Sequence, residues 1–358
     1  MSSPSREYSQ ARTAGVPSPA DRSNAWRLVD KFGRVHTSLR ISLTDACNIR
    51  CRYCMPEKVD GFLPQNRLLS FESIERVARV MVRAGVTKIR LTGGEPLMRP
   101  DLPELVERLS KIDGLSQLAM TTNGMMLAEQ LDGLVHAGLT HLNISLDTLR
   151  EPAFKQISRR DGLDKVLDGI HAAVRSPLKV RINALLLRQI NLDDCLPLVR
   201  FARNLGVVIR FIEFMPLDAN RAWSQSQVVS GLEVRQRVEA EFGELIPSQG
   251  IDRSQPSKDF LFSDGSGGIG FISPVSEPFC SNCNRLRLTA DGKFRNCLFG
   301  REEWDVKSLL EPTDCQNPCT DQDIFNLAKA CVEKKYASHG ISDSDFQPPE
   351  RAMYQIGG

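Results

Sequence analysis

From Thr37 to about Met215, short apolar segments alternate with longer ones in which apolar residues recur every three to four positions. The short segments predict strands at 38–44 (SLRISLT), 87–92 (TKIRLT), 117–122 (QLAMTT), 140–146 (THLNISL), 178–187 (LKVRINALLL) and 207–214 (VVIRFIEF). The longer segments predict helices. One starts at Ser70 as N-cap, carries Ile74, Val77, Ala78 and Met81 on one face, and stops near Gly85. Others cover 101–112, 127–137, 163–175 and 193–204, the last ending before Gly206. Six strand–helix repeats with short connections predict a parallel sheet. Six are too few to close an eight-fold barrel, and their alternation is too regular for an α+β fold. The expected class is therefore α/β, a partial (βα)6 TIM-like barrel over 36–215, with a doubly wound open sheet as the alternative.

Beyond 215 the pattern changes. Residues 216–358 predict a helix near 231–243, a glycine-rich turn at 263–270, a hairpin over 286–299 turning at Asp291-Gly292, and helices near 303–310 and 321–336. This reads as a smaller C-terminal α+β domain. Residues 1–35 are polar and rich in Ser, Pro and Ala, and read as a flexible extension.

The 358 residues carry a net charge of +2, with 41% hydrophobic and 25% charged residues. Such a balance gives no global attraction to nucleic acid, so an anionic ligand needs a local basic cluster. No apolar run reaches membrane-spanning length, and the N-terminus lacks the apolar core of a secretory signal. Six of the ten cysteines fall in two tight groups. That favours metal binding in a reducing compartment, the cytoplasm, over disulfides.

The first group is CNIRCRYCMP, residues 47–56, with Cys47, Cys51 and Cys54 directly after the first strand. A structural zinc takes four ligands, usually as two pairs, and would have to borrow one from elsewhere. A 4Fe-4S cluster normally takes four thiolates, so three leave one iron open to a small chelating molecule. CxxxCxxC with Tyr53 before the third cysteine resembles the radical S-adenosylmethionine superfamily. In that superfamily the open iron holds S-adenosylmethionine, which yields methionine and a 5'-deoxyadenosyl radical.

One strand later, TKIRLT runs into Gly93-Gly94-Glu95-Pro96. Adjacent glycines there permit a tight turn or a close backbone approach. Placed one unit after the cysteines, they look like the superfamily loop that holds the amino group of S-adenosylmethionine. Catalytic groups of βα barrels gather at the C-terminal ends of the strands. Cys47, Gly94, Thr121, Ser145 and Met215 all fall at or just after predicted strand ends.

The second group is Cys280, Cys283 and Cys297. A zinc site completed by Cys315 or Cys319 and a second 4Fe-4S cluster both fit this spacing. Residues 284–288, NRLRL, put Arg285 and Arg287 on one face of a strand, beside a cluster ligand. Two guanidiniums aimed at a site favour a polyanion such as a triphosphate. In the first strand, Arg40 and Ser42 likewise face away from Leu39 and Ile41, toward the barrel interior.

CNxRCxYCMP, TGGEP, CxxCNRLRLTADGK and a terminal Gly-Gly together resemble the GTP 3',8-cyclase family of molybdenum cofactor biosynthesis. The likeness runs from about Arg40 to Gly358, apart from the loop around 311–320. It implies two 4Fe-4S clusters, S-adenosylmethionine and GTP, with removal of the ribose 3'-hydrogen and bonding of C3' to guanine C8. It further implies a homodimer, an external electron donor, and hand-off of the product to the cyclic pyranopterin monophosphate synthase. By position, Cys47, Cys51 and Cys54 would hold the first cluster, and Cys280, Cys283 and Cys297 the second, whose open iron binds guanine. Tyr53, Gly94, Ser145 and Met215 would contact S-adenosylmethionine. Arg40, Arg90, Thr121, Arg181, Arg285 and Arg287 would bind GTP. Arg285, Arg287 and the tail Gly357-Gly358 would assist the radical step.

Position 181 departs from the family, which usually has lysine. Arginine keeps the charge and changes the donor geometry. Cys195 and Cys331 sit in helical patterns and read as core. Cys315 and Cys319 match no ligand of the family. Two competitors stand beside this reading: another radical enzyme with an auxiliary cluster, and a non-enzymatic zinc or iron–sulfur scaffold. Enzymes of the first kind usually carry a longer cysteine set in the C-terminal part, which is missing here, and the scaffold does not explain GGEP, RLR or the terminal Gly-Gly.

Overall fold

The computed structural model describes residues 26–249, 254–311 and 319–357. In chain order the strands are β1 (Ser38–Ser42), β2 (Lys88–Thr92), β3 (Gln117–Thr122), β4 (His141–Ser145), β5 (Lys179–Leu185), β6 (Val208–Ile212), β7 (Leu245–Pro247), β8 (Lys258–Phe262), β9 (Gly268–Ile272), β10 (Arg285–Leu288), β11 (Lys293–Arg295) and β12 (Trp304–Asp305). The helices are α1 (Phe71–Arg83), α2 (Leu102–Ser110), α3 (Leu127–His136), α4 (Glu151–Ser158), α5 (Leu163–Arg175), α6 (Cys195–Asn204), α7 (Gly231–Phe242), α8 (Lys307–Leu310), α9 (Asp321–Glu333) and α10 (Met353–Ile356).

Strands β1 to β6 pair in sequence order, all parallel, as the alternation predicts. Each strand divides its residues by side. Leu39, Ile41, Ile89 and Leu91 are buried among Ile74, Val77 and Met81 of α1. Ser38, Arg40, Lys88 and Arg90 line a cavity on the other side. Ser70 caps α1 by accepting from the Ser73 amide at 3.1 Å.

The C-terminal part does not form a sheet of its own. Strand β10 adds parallel to β1, and β9 adds parallel to β6. Antiparallel strands β11–β12 and β8–β7 extend the two edges into one twelve-stranded sheet. The partial barrel is thus widened on both sides by strands from the far end of the sequence. The hairpin turn at Asp291-Gly292 is present, with β10 returning as β11.

Several local expectations change. Residues 26–35 are not a flexible extension: Trp26 stacks on Phe325 at 4.7 Å, Leu28 is buried, and Val29 bridges Val35. Helix α4 and strands β7 and β8 escape sequence reading because each is short and partly exposed. The glycine-rich turn at 263–270 gives way at Gly268 to β9. There Gly270 lets Arg210 and Asp259 meet, since a Cβ would stand 3.0 Å from Cγ of Arg210 and collide with Asp259. The helix expected near 303–310 is only the short α8, preceded by β12.

The seam between β1 and β10 carries the C-terminal contribution to the cavity. Leu286 is fully buried there, in register with Leu39. Leu286→Ala is expected to cost about 2–5 kcal/mol, as for other fully buried leucines. Urea denaturation measures it; a loss near zero would show that this seam is not tightly packed.

Candidate active site

The strand ends enclose a cavity of about 380 Å3. Cys47, Gly94, Thr121, Ser145 and Met215, five residues from five strand ends, all line it. So do Tyr53, Arg40, Arg90, Arg181, Arg285 and Arg287, together with Cys51 and Cys54. Cys280, Cys283 and Cys297 lie just behind, next to lining residues Phe279, Asn284 and Leu298.

The first cysteine loop is shaped by backbone bonds to its neighbours. The amides of Cys54 and Met55 both donate to the Cys51 carbonyl at 2.9 Å, turning the chain so that the thiols share one side. Arg50 and Arg52 amides donate to the end of α4, at Ser158 (2.8 Å) and Ile157 (3.0 Å). Arg159, in the left-handed region at φ 54°, reaches back to the carbonyls of Arg50 and Met55, each at 3.0 Å. The glycines of GGEP approach this loop. Gly94 and Glu95 amides donate to Thr44 and Ala46, each at 2.7 Å. A Cβ on Gly94 would stand 2.6 Å from the Asp45 carbonyl oxygen, so only glycine fits.

Burial pushes the Cys47 thiol up to about 11, with the Glu95 carboxylate adding to it. Burial also raises Cys51 and Cys54, each reinforced by the neighbouring cysteines. Three thiols held this deep and close ionise only against a strong positive centre, which a bound metal cluster provides. The donor set is all soft sulfur. Cys283 behaves differently. Burial opposes its ionisation, but the charges of Arg285 and Lys335 overcome that and bring the thiol down to about 6. Arg285 donates to its sulfur at 3.3 Å. Burial raises the Cys280 thiol, and the charges of Cys297 and Cys283 act on it too. These mutual charge effects place the three thiols near one another.

Between the two groups the floor is cationic. Arg287, Arg40 and Arg90 stand in one register row across β10, β1 and β2. Burial holds the Arg40 guanidinium well below its ordinary value, and Arg287, Arg285 and Arg90 push it further down. Burial and Arg285 bring Arg287 to about 9; burial, Arg210 and Arg181 bring Arg90 to about 10. Arg90 also donates to the Thr121 hydroxyl at 3.2 Å. Cations that depress one another inside a cavity favour an anion of several charges.

Sequence reading missed several lining residues. Lys88 shares the face of Arg90 and was legible from strand alternation. Arg210 lies in the apolar run of β6 and donates to Asp259 at 2.5 Å and Gln255 at 3.0 Å. Asn143 and Asn183 line the cavity with buried side-chain oxygens that have no hydrogen-bond partner among the described residues, which suits donors of a ligand. Asp147 accepts from the Tyr53 hydroxyl at 2.7 Å and the Leu185 amide at 2.8 Å, and burial raises its carboxyl to about 6. Glu95 accepts from Thr122 at 2.6 Å and the Asn123 amide at 2.7 Å, and burial raises it to about 7. These two carboxyls brace the loops beside the first thiol group, a role visible only in three dimensions.

At the tail, Arg287 donates to the Gly357 carbonyl. Gly357 has φ +81°, and a Cβ there would stand 3.0 Å from both Ser42 and Thr92. Gly358 lies outside the described residues, as does Cys315. Cys195 and Cys331 are fully buried, as expected. Cys319 is half-buried, and its carbonyl accepts from Arg76.

Residues 41–202 match the radical SAM superfamily, and residues 207–341 match the molybdenum cofactor synthesis C family. The chain is 48% identical to the GTP 3',8-cyclase of Rhodopirellula baltica, over 95% of this chain and 94% of that protein. It is 40% identical to the GTP 3',8-cyclase of Mycolicibacterium smegmatis, over 99% and 97% of the two. It is 41% identical to human molybdenum cofactor biosynthesis protein 1, over 92% of this chain and 51% of that one. Among solved structures, Streptococcus suis SuiB bound to S-adenosylmethionine matches at a TM-score of 0.58 and 13% identity, over 88% of this chain and 69% of that one. That likeness supports the barrel fold.

The cationic floor has a measurable effect on His141. Burial, then Arg181, Lys179, Arg90 and Lys88, bring its imidazole down to about 4. Its neutral form is therefore favoured at every pH above that. A bound polyanion restores the charged form, so the value should rise when inorganic triphosphate is added. NMR titration of the imidazole tests this; a free-protein value near 6.5 would mean that the cationic field is absent.

Proposed function

The chain belongs to the GTP 3',8-cyclase family of radical S-adenosylmethionine proteins, and from that premise we propose that its cavity converts GTP to 3',8-cyclo-7,8-dihydro-GTP. This is the first step of molybdenum cofactor biosynthesis. The observation that carries the reading is one cavity with three buried thiols on one side, a floor of guanidiniums, and a second thiol group behind Arg285 and Arg287.

Cys47, Cys51 and Cys54 would hold a 4Fe-4S cluster, and Cys280, Cys283 and Cys297 a second. Bound there with S-adenosylmethionine, the first supplies the 5'-deoxyadenosyl radical that takes the ribose 3'-hydrogen. Tyr53, Gly94, Ser145 and Met215 would seat S-adenosylmethionine, with the Asp147 carboxylate fixing the Tyr53 ring. Arg40, Arg90, Arg181 and Thr121 would take the triphosphate, each guanidinium recovering in charge-assisted hydrogen bonds what burial costs it. Arg181 keeps the charge of the lysine usual at its position. Ile212, Leu185 and Phe214 line the same cavity and exclude water from the reacting atoms. Arg285 and Arg287 would hold the base side of the substrate, with Arg287 also holding the tail at Gly357.

On this reading the chain works in the cytoplasm, where thiols stay reduced. It pairs with a second copy, takes electrons from an external donor, and passes its product to the cyclic pyranopterin monophosphate synthase. No described helix is long and apolar enough to cross a membrane.

Anaerobic reconstitution tests the cofactor set: roughly eight irons per chain are expected for two clusters, against roughly four for one. Added GTP and reductant should then yield 5'-deoxyadenosine together with a cyclised GTP. Zinc without turnover would overturn the reading.

Deleting Gly357 and Gly358 should abolish GTP cyclisation and leave uncoupled cleavage of S-adenosylmethionine. Product chromatography distinguishes the two, and an unchanged yield of cyclised GTP would refute a role for the tail.

A further inference from the structure

The last eight residues do more than carry a terminal Gly-Gly to the substrate. Arg351 forks onto Asp291 of the hairpin turn, at 3.0 and 2.9 Å, and onto Glu303 at 2.8 Å. The Met353 amide donates to the Leu217 carbonyl at 3.1 Å. Between these anchors and Gly357, the chain crosses directly over the first cysteine loop. Ala352 and Tyr354 are buried against Met55, in a cluster that takes in Cys47 and Cys54. Tyr354 is buried, so this part of the chain end is enclosed rather than frayed.

A chain end is ordinarily loose unless something holds it. Here a bidentate ion pair holds one side and a buried guanidinium the other, and the segment held between them is apolar. We propose that the segment from Arg351 to Ile356 is a cap on the first thiol group, covering the Cys47 and Cys54 side. Its function is to keep water, chelators and oxidants away from the metal that these cysteines hold. Partners and cover around ligand sulfurs control solvent access to a metal site. The same strap joins the cover on the first group to the Arg287 contact at the floor, so displacing the tail uncovers the first group and frees Arg287.

This inference rests on the reading that Cys47, Cys51 and Cys54 hold a cluster. The test uses the full chain loaded with iron and sulfide, challenged anaerobically with an iron chelator and quenched at intervals with iodoacetamide. Mass spectrometry reads which cysteines become alkylated, and when. Compared with the unmodified chain, Arg351→Gln and a chain ending at Glu350 should label Cys47, Cys51 and Cys54 several-fold faster. Cys280, Cys283 and Cys297 should keep their original rate. A chain lacking only Gly357 and Gly358 keeps the Arg351 and Met353 anchors and loses the Arg287 one, so it should label Cys47, Cys51 and Cys54 at a rate between those of the full chain and of the chain ending at Glu350, with Cys280, Cys283 and Cys297 unchanged. Equal rates in all variants, or equal acceleration of both groups, would overturn the proposal. An iron count of zero before the challenge would instead sink the cluster reading itself.

Discussion

A protein interior that collects like charges must meet them with opposite charge from elsewhere. In this fold the register of β10, β1 and β2 sets Arg287, Arg40 and Arg90 side by side within one cavity. Besides burial, Arg287 and Arg90 lower the readiness of Arg40 to stay charged, Arg285 does the same to Arg287, and Arg210 and Arg181 to Arg90. Packing alone does not maintain such a floor; it is stable as a binding surface for a polyanion. The rest of the architecture serves that constraint. Helices take the apolar face of every strand, leaving the other face free for charge. Strand β10 from the C-terminal part brings Arg285 as well as Arg287 to this floor, with the second thiol group next to it.

Charge also separates the two thiol groups. Around Cys47, Cys51 and Cys54 the protein offers burial and neighbouring acids, so the thiols are driven toward their neutral form. Around Cys283 it offers Arg285 and a buried Lys335, whose ammonium donates to the Arg285 carbonyl at 2.8 Å. The first group therefore depends more on what it binds, and it is also the group that lies beneath the C-terminal strap. In the second group, Cys283 is already biased toward thiolate by fixed cations. The two thiol groups are alike in composition and unlike in the charge placed around them.

Much of this was readable in one dimension. Local periodicity determines β1 to β6 and most of the barrel helices, because each strand must present one apolar face and each helix one apolar stripe. CxxxCxxC, GGEP and RLR name the chemistry, because thiol number, glycine pairs and same-face arginines have local meaning. Residues 26–35 were misread because their composition is polar, while Trp26 and Leu28 find partners only in distant segments. Strands β7 and β8 have no local signal for a similar reason: each is short, β8 is held by pairing to β9 and β7 by pairing to β8.

The sequence by itself determined which residues carry chemistry and how the central strands alternate. Only the tertiary structure decided that the C-terminal part joins the barrel sheet at both edges, since strand pairing between residues 40 and 287 has no local signal. It alone decided that Asp147 and Glu95 brace the loops, that Arg210 reaches the cavity through a gap left by Gly270, and that the chain end lies across Cys54. Those contacts link positions far apart in the chain. Their energies depend on burial and mutual distance, which no local pattern encodes.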